Sequence, residues 1–262
     1  MIAFFGPHYP DREFYTIVAI FMRLGYFATR DPDSAFDFAV AWQDCTWVDD
    51  QPLLEAIASD KPVLNLGCRD ISKKRVEAVF ESIFGYSTFI DPTKYVGACV
   101  RKYDENARGG SVIRCPVAAV EPQFVYQRLI DSAHAGRMIE YRVPIVLDQL
   151  PVVYVQEKSI PAETIKTEKL SLQVSSASAV FSDSECILIR SFCRDMGLDF
   201  GELDIVRAND DQRIYILDAN KTPGGFGMLN KMKWQPAQRH TAIERLSVAF
   251  ETGLRARLAV AT

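Results

Sequence analysis

The chain has 262 residues, 48% of them hydrophobic and 24% charged, the balance of a globular protein with one large core or two smaller ones. Its net charge of −4, with basic residues scattered along the sequence, gives no electrostatic footprint for nucleic acid. No apolar run approaches the ~20 residues that span a bilayer, and residues 1–6 lack the basic lead and apolar stretch of a secretory signal, so a cytoplasmic protein with no membrane partner is expected.

In chain order, Ile2 to Gly6 reads as a short apolar strand closed by glycine. Residues 12–24 place Phe14, Ile17, Val18, Phe21 and Leu24 at helical spacing, with Gly25 as the stop. Residues 38–42 and 62–66 read as buried strands with a helix over 52–59 between them, a small open α/β unit covering residues 1–70. The stretch Gly6-Pro7-His8-Tyr9-Pro10 is not a dinucleotide fingerprint. Trp42, Asp44 and Trp47 lie where a strand's C-terminal end can line a substrate pocket.

Beyond residue 70 the spacing predicts an amphipathic helix over 72–84, with Val76, Val79, Phe80 and Ile83 as its stripe and Ser72 as its N-cap. Strands are predicted over 95–103, 111–116, 124–130, 139–146 and 152–158, and the polar stretch 159–169 reads as a loop. A helix over 184–196 is followed by Gly197 as C-cap, and an amphipathic helix over 239–258 closes the chain. The six cysteines form no C-x-x-C pair and the three histidines share no ligand spacing, so a structural zinc site is not expected. Reduced, mostly buried thiols are expected instead.

The most informative segment is a hairpin: 201–206 and 214–220 are apolar runs around the polar turn 209–212. Asp204 lies on its first strand, and Asp218 and Asn220 are two apart on its second, so they share a face with Ala219 turned away. Two carboxylates and an amide oxygen on one face suit a hard cation such as Mg²⁺. Pro223-Gly224-Gly225 follows, where backbone can approach a ligand closely.

On these residues the chain resembles the ATP-grasp superfamily, the fold of D-alanine–D-alanine ligase and of RimK-like amino-acid ligases. Members carry an Asp on one strand and Glu-x-Asn-x-x-Pro-Gly on the next; here the match is Asp204 and then Asp218-Ala219-Asn220-Lys221-Thr222-Pro223-Gly224, with Asp in place of Glu. The resemblance covers roughly residues 70–230. It implies an α/β (α+β) ATP-grasp domain over 71–262, with a lid over 71–126 and a metal-binding part over 127–262, preceded by the small α/β domain of 1–70.

The resemblance also implies a set of roles. Asp204, Asp218 and Asn220 would hold one or two Mg²⁺, or Mn²⁺. Lys73 at the start of a helix, Lys102 before the glycine flap with Gly109 and Gly110, and the strand-end Lys158 would contact the nucleotide phosphates. Gln127, Arg128 and Leu129 would meet the adenine, and Asp131 the ribose. Arg142 matches the arginine of the RimK-like D-I-R segment and would steady an acyl phosphate, with Lys102 assisting and the Gly224 and Gly225 amides facing the oxyanion. The implied activity joins a small-molecule carboxylate to an amine at the expense of ATP. Independently of the resemblance, a homodimer is a reasonable expectation, since dimers are the commonest oligomers. The alternatives on the same fold are a small-molecule kinase and a nucleotide-binding protein with a degraded site.

Overall fold

Ile2–Phe5 (β1) pairs in parallel with Phe27–Thr29 (β2) and Phe38–Val40 (β3), and Val63–Leu64 (β4) extends the sheet in the order β2-β1-β3-β4. A computed structural model describes residues 1–6, 8–10, 15–160, 168–224 and 235–260. Period-2 alternation buries both faces of this sheet. Ala3, Phe5, Phe38 and Val40 point to one side, and Phe4, Ala39 and Ala41 to the other. The first side is covered by Thr16–Leu24 (α1) and the second by Pro52–Ile57 (α2). Helix α1 ends where Gly25 takes a left-handed φ of 66° and returns its amide to Phe21 O, the stop that the sequence predicts.

The largest sheet is antiparallel. Its strands are Ala133–His134 (β8), Arg137–Val146 (β9), Val153–Lys158 (β10), Lys169–Ser175 (β11), Phe200–Arg207 (β12) and Ile214–Asn220 (β13), in the order β11-β10-β9-β12-β13 with β8 also on β9. One face, with Val143, Ile145, Val153, Leu203, Ile205 and Ala219, packs on Lys73–Phe84 (α3) and Asp183–Asp195 (α5). Both helices begin at serine caps. Ser72 Oγ accepts from Arg75 N at 3.2 Å, and Ser182 with Glu185 forms a capping box.

The opposite face is divided. At one end Val146, Val152, Tyr154 and Phe200 join the core of the N-terminal sheet, with Phe250 of the long helix Pro236–Val260 (α6) between them. The Phe200 and Phe250 rings lie 6.1 Å apart and Trp42 reaches Phe200 at 6.5 Å. Each such fully buried aromatic stabilises the junction by about 1.5–3 kcal/mol. The other end of this face is polar. It is covered by a three-stranded antiparallel sheet of Gly97–Tyr103 (β5), Gly110–Cys115 (β6) and Phe124–Arg128 (β7), in the order β6-β5-β7.

Several sequence expectations are corrected. The first helix begins at Thr16 rather than at residue 12, and Phe14 lies outside the described residues. β2, β8, β11 and the short helix Ala177–Val180 (α4) were not expected. Strands β2 and β11 lie at sheet edges, where one-sided burial blurs alternation: Phe27 is 71% exposed, and Lys169 and Leu170 face outward. Gly197 follows the C-cap Met196 rather than being the cap itself. All six cysteines are free, and five are buried with Cys45 half-exposed.

Candidate functional site

The hairpin β12–β13 brings its acids together by register. Asp204 lies directly opposite Asp218, and Glu202 opposite Asn220. Like charges facing each other across a ladder repel, so this face needs cations, and the fold supplies them from distant segments. On the other flank of β12, Arg142 pairs with Asp204 across β9. Its guanidinium grips that carboxylate in two bonds, Nε to Oδ1 at 2.7 Å and Nη2 to Oδ2 at 3.0 Å. From the first turn of α3, Lys73 Nζ donates to Asp218 Oδ1 at 2.7 Å and to Asn106 Oδ1 at 2.8 Å. Lys102, on β5 of the covering sheet, faces the same space. It makes no ion pair with any described residue.

These contacts set the electrostatics. Asp204 beside Arg142 raises the arginine well above its ordinary value. Burial pushes the Asp204 carboxyl up, but Arg142, Lys158 and Lys169 together bring it below the carboxylate range. Asp218 is held above that range, by burial first and by Asp204, against the pull of Lys73. Burial lowers Lys102 from the usual lysine value.

The cleft has two adjoining parts. The polar part, about 370 Å³, is lined by Lys73, Lys102, Asn106, Ala107, Gly109, Arg142, Glu202, Asp204, Asp218 and Asn220. The apolar part is a slot of about 170 Å³, walled by Val100, Val112, Leu129, Ile130, Met138, Val206 and Leu217, with Gln127, Arg128, Ser132 and Glu140 at its edges. Lys102, Asp204 and Asp218 belong to both.

Most of the expected site residues converge here, and some take other positions. Gly109 lines the cleft, and Gly110 closes the β5–β6 connection so tightly that a Cβ would lie 2.4 Å from Arg101 O. Gln127 fixes its amide nitrogen on Thr88 Oγ1 at 2.8 Å, and its carbonyl oxygen, at the slot, accepts from none of the described residues. Arg128 lies at the slot, but its backbone amide is taken by Thr88 O at 2.8 Å, so that group is not free for a base. Asp131 is exposed, accepts from Ala133 N and lines neither part; its neighbour Ser132 does. Lys158 is engaged by Glu140 and reaches the slot only through it. Gly224 follows Pro223, whose carbonyl accepts from Thr16 N at 3.1 Å, and it is not part of the lining; Gly225 lies outside the described residues. Of the N-terminal candidates, Asp44 accepts from Thr222 Oγ1 at 2.8 Å just beyond the hairpin, whereas Trp47 is 52% exposed.

The sequence reading missed Glu202, Glu140 and Thr46, and gave Asn106 only a place in the glycine flap. Thr46 Oγ1 accepts from Asn106 N at 2.8 Å and so anchors the loop 104–110. Only Glu202 carried a local signal, since it lies two residues before Asp204 on the same strand face.

The donor set fits a magnesium nucleotide. Oxygen side chains of Asp204, Asp218 and Asn220 face one another beneath Lys73, Lys102 and Arg142, with an apolar slot beside them. Among the described residues no three His, Cys, Asp or Glu side chains are gathered closely enough to hold a metal by themselves. Asp204 and Asp218 are instead each neutralised by a basic partner.

No family profile and no curated protein matches the chain. Solved structures do. The ATP-grasp ligase PsnB complexed with a minimal precursor aligns with a TM-score of 0.57 at 13% identity, over 95% of this chain and 99% of that one. PsnB with a phosphomimetic variant of the precursor, Mg and ADP aligns with a TM-score of 0.56 at 12% identity, over 95% and 98%. D-alanine–D-alanine ligase from Bacillus anthracis complexed with ATP aligns with a TM-score of 0.54 at 14% identity, over 99% of both chains.

Proposed function

We propose that this chain, which has the ATP-grasp fold, is an ATP-dependent ligase that joins a carboxylate to an amine. The observation that carries the reading is the adjacency of two cavities: an apolar slot shares Lys102, Asp204 and Asp218 with a polar cavity that Lys73 and Arg142 also line. The adenine occupies the slot, with the Gln127 carbonyl accepting from its amino group, and the phosphates run over Asp204 and Asp218 toward Arg142. Asp204, Asp218 and Asn220 would hold Mg²⁺, which when bound would neutralise phosphate charge.

The chain's own groups do the rest by position and charge, as in phosphoryl transfer generally. Lys73 exchanges its contact with Asp218 for the phosphates, and Lys102, lacking an ion-pair partner, meets them from the covering sheet. The loop 104–110 lies over the phosphates and excludes water, and Gly110 permits its tight closure. The substrate carboxylate attacks the terminal phosphorus, ADP leaves, and an acyl phosphate forms beside Arg142. The amine then attacks the acyl carbon, releases inorganic phosphate and loses its proton as the amide forms. The organisation that accompanies this reading is a boundary near residue 70, with a lid to about 126 and a metal-binding part beyond it.

Calorimetry with Mg²⁺ and AMP-PNP, followed by phosphate release from ATP with pooled amino acids, tests the proposal. Binding in the micromolar range and a condensed product with free phosphate are expected. A phosphorylated product without free phosphate identifies a kinase, and absence of nucleotide binding removes the reading.

A further inference from the structure

The cleft has a direction that three strands share. On β9, β12 and β13 the residues Met138, Val206 and Leu217 wall the slot, Asp204 and Asp218 stand at the junction, and Arg142, Glu202 and Asn220 line the polar end alone. A nucleotide with its base in the slot therefore points its terminal phosphate toward Glu202. At a strand rise of about 3.3 Å per residue, Glu202 lies about 7 Å beyond Asp204, where the groups that react with the phosphate must sit.

Glu202 differs from the other acids of the cleft. Asp204 is held by Arg142, Asp218 by Lys73 and Glu140 by Lys158. Glu202 is 2% exposed, and neither carboxylate oxygen has a hydrogen-bond partner among the described residues. Its ion pair among the described residues is the one with Arg142 Nε, 3.5 Å from Oε2, and that nitrogen also donates to Asp204 Oδ1 at 2.7 Å. A carboxylate buried without donors is costly unless a cation reaches it. The described residues gather no third carboxylate or histidine that would make Glu202 part of a metal cage. A cation bearing its own N–H donors matches two carboxylate oxygens that accept no hydrogen bond from the described residues better.

We propose that Glu202 receives the ammonium group of the acceptor substrate, so that the nucleophile enters as a protonated primary amine placed next to the carboxyl group that Arg142 faces. The inference rests on the ligase reading and adds to it the charge of the second substrate and the residue that selects it. Glu202 is here a binding and positioning group, and the proton that the amine loses on attack is not assigned to it.

The test measures binding to the wild-type chain saturated with Mg²⁺ and AMP-PNP. The probes are a pool of amino-acid amides, which carry an ammonium and no carboxylate, and the same pool N-acetylated. The free amides are expected to bind at least tenfold more tightly than the acetylated ones. Glu202→Gln is expected to lose that preference while its affinity for Mg²⁺–AMP-PNP and for Mn²⁺, read by electron paramagnetic resonance, stays within twofold. Glu202→Asp, which keeps the charge, is expected to retain part of the preference and guards against a folding defect in the amide variant. A wild-type chain indifferent to acetylation, or a Glu202→Gln variant that keeps the preference, overturns the proposal. So does a tenfold loss of Mn²⁺ affinity in Glu202→Gln, which would make Glu202 a metal ligand. Failure of the wild type to bind AMP-PNP would instead remove the ligase reading itself.

Discussion

Asn65 shows how the N-terminal sheet holds the site's strands in place, and its substitution has a calculable cost. The residue follows β4 with a left-handed φ of 61° and is 2% exposed. Its Nδ2 donates to Phe200 O at 2.7 Å and to Lys221 O at 3.4 Å, and its Oδ1 accepts from Asp199 N at 2.8 Å and Phe200 N at 2.9 Å. One side chain thus ties the start of β12 to the end of β13, the strands that carry Glu202, Asp204, Asp218 and Asn220. Asn65→Ala removes three bonds shorter than 3 Å, about 1 kcal/mol each, leaves buried amides without acceptors, and adds about 1 kcal/mol of left-handed strain. A loss of about 4 kcal/mol is expected, a large share of the 5–15 kcal/mol that typically separates folded from unfolded chains. Asn65→Gly loses the same bonds but not the φ preference, so it should be about 1 kcal/mol more stable than the alanine variant. Urea unfolding followed by circular dichroism measures both. A cost below about 1 kcal/mol for alanine, or a glycine variant less stable than alanine, would refute the reasoning.

Asp218→Ala and Asn220→Ala are each expected to abolish ATP turnover while the far-ultraviolet dichroism stays native; full activity in either would remove the metal assignment. Asp218→Ala also leaves the 6%-exposed Lys73 with Asn106 as its remaining partner, so a stability loss of about 3 kcal/mol is expected on urea unfolding. Burial, opposed by Arg142, pushes the Glu202 carboxyl up to about 7 from its ordinary 4.5. The native state therefore keeps a proton that the unfolded chain has released, and stability falls as pH rises from 4.5 to about 7. For this group the fall is on the order of 3 kcal/mol, and unfolding across pH should show it flattened in Glu202→Gln. Gly110→Ala places a Cβ 2.4 Å from Arg101 O, so the β5–β6 connection must shift. AMP-PNP affinity in that variant is expected to fall about tenfold, with unfolding of the rest of the chain little changed.

What the sequence determined by itself is local. Alternation over Ile214 to Asn220 put Asp218 and Asn220 on one face, because side chains two apart in a strand point the same way; the register that sets Asp204 opposite Asp218, with an irregularity just after it, came from the pairing of the two strands. Ser72 before an amphipathic run fixed the start of α3 and so placed Lys73 in its first turn. The tertiary structure decided which charges meet. Arg142 reaches Asp204 across 62 residues of sequence, Lys73 reaches Asp218 across 145, and Asn65 reaches Asp199 across 134. Those pairings follow from the placement of β9 beside β12 and of α3 against β13, a choice of neighbours that no local pattern encodes. The same choice turned Asp131 outward, spent the Arg128 amide on Thr88 and left Glu202 buried without a hydrogen bond from any described residue, because each outcome depends on what packs opposite rather than on the residue itself.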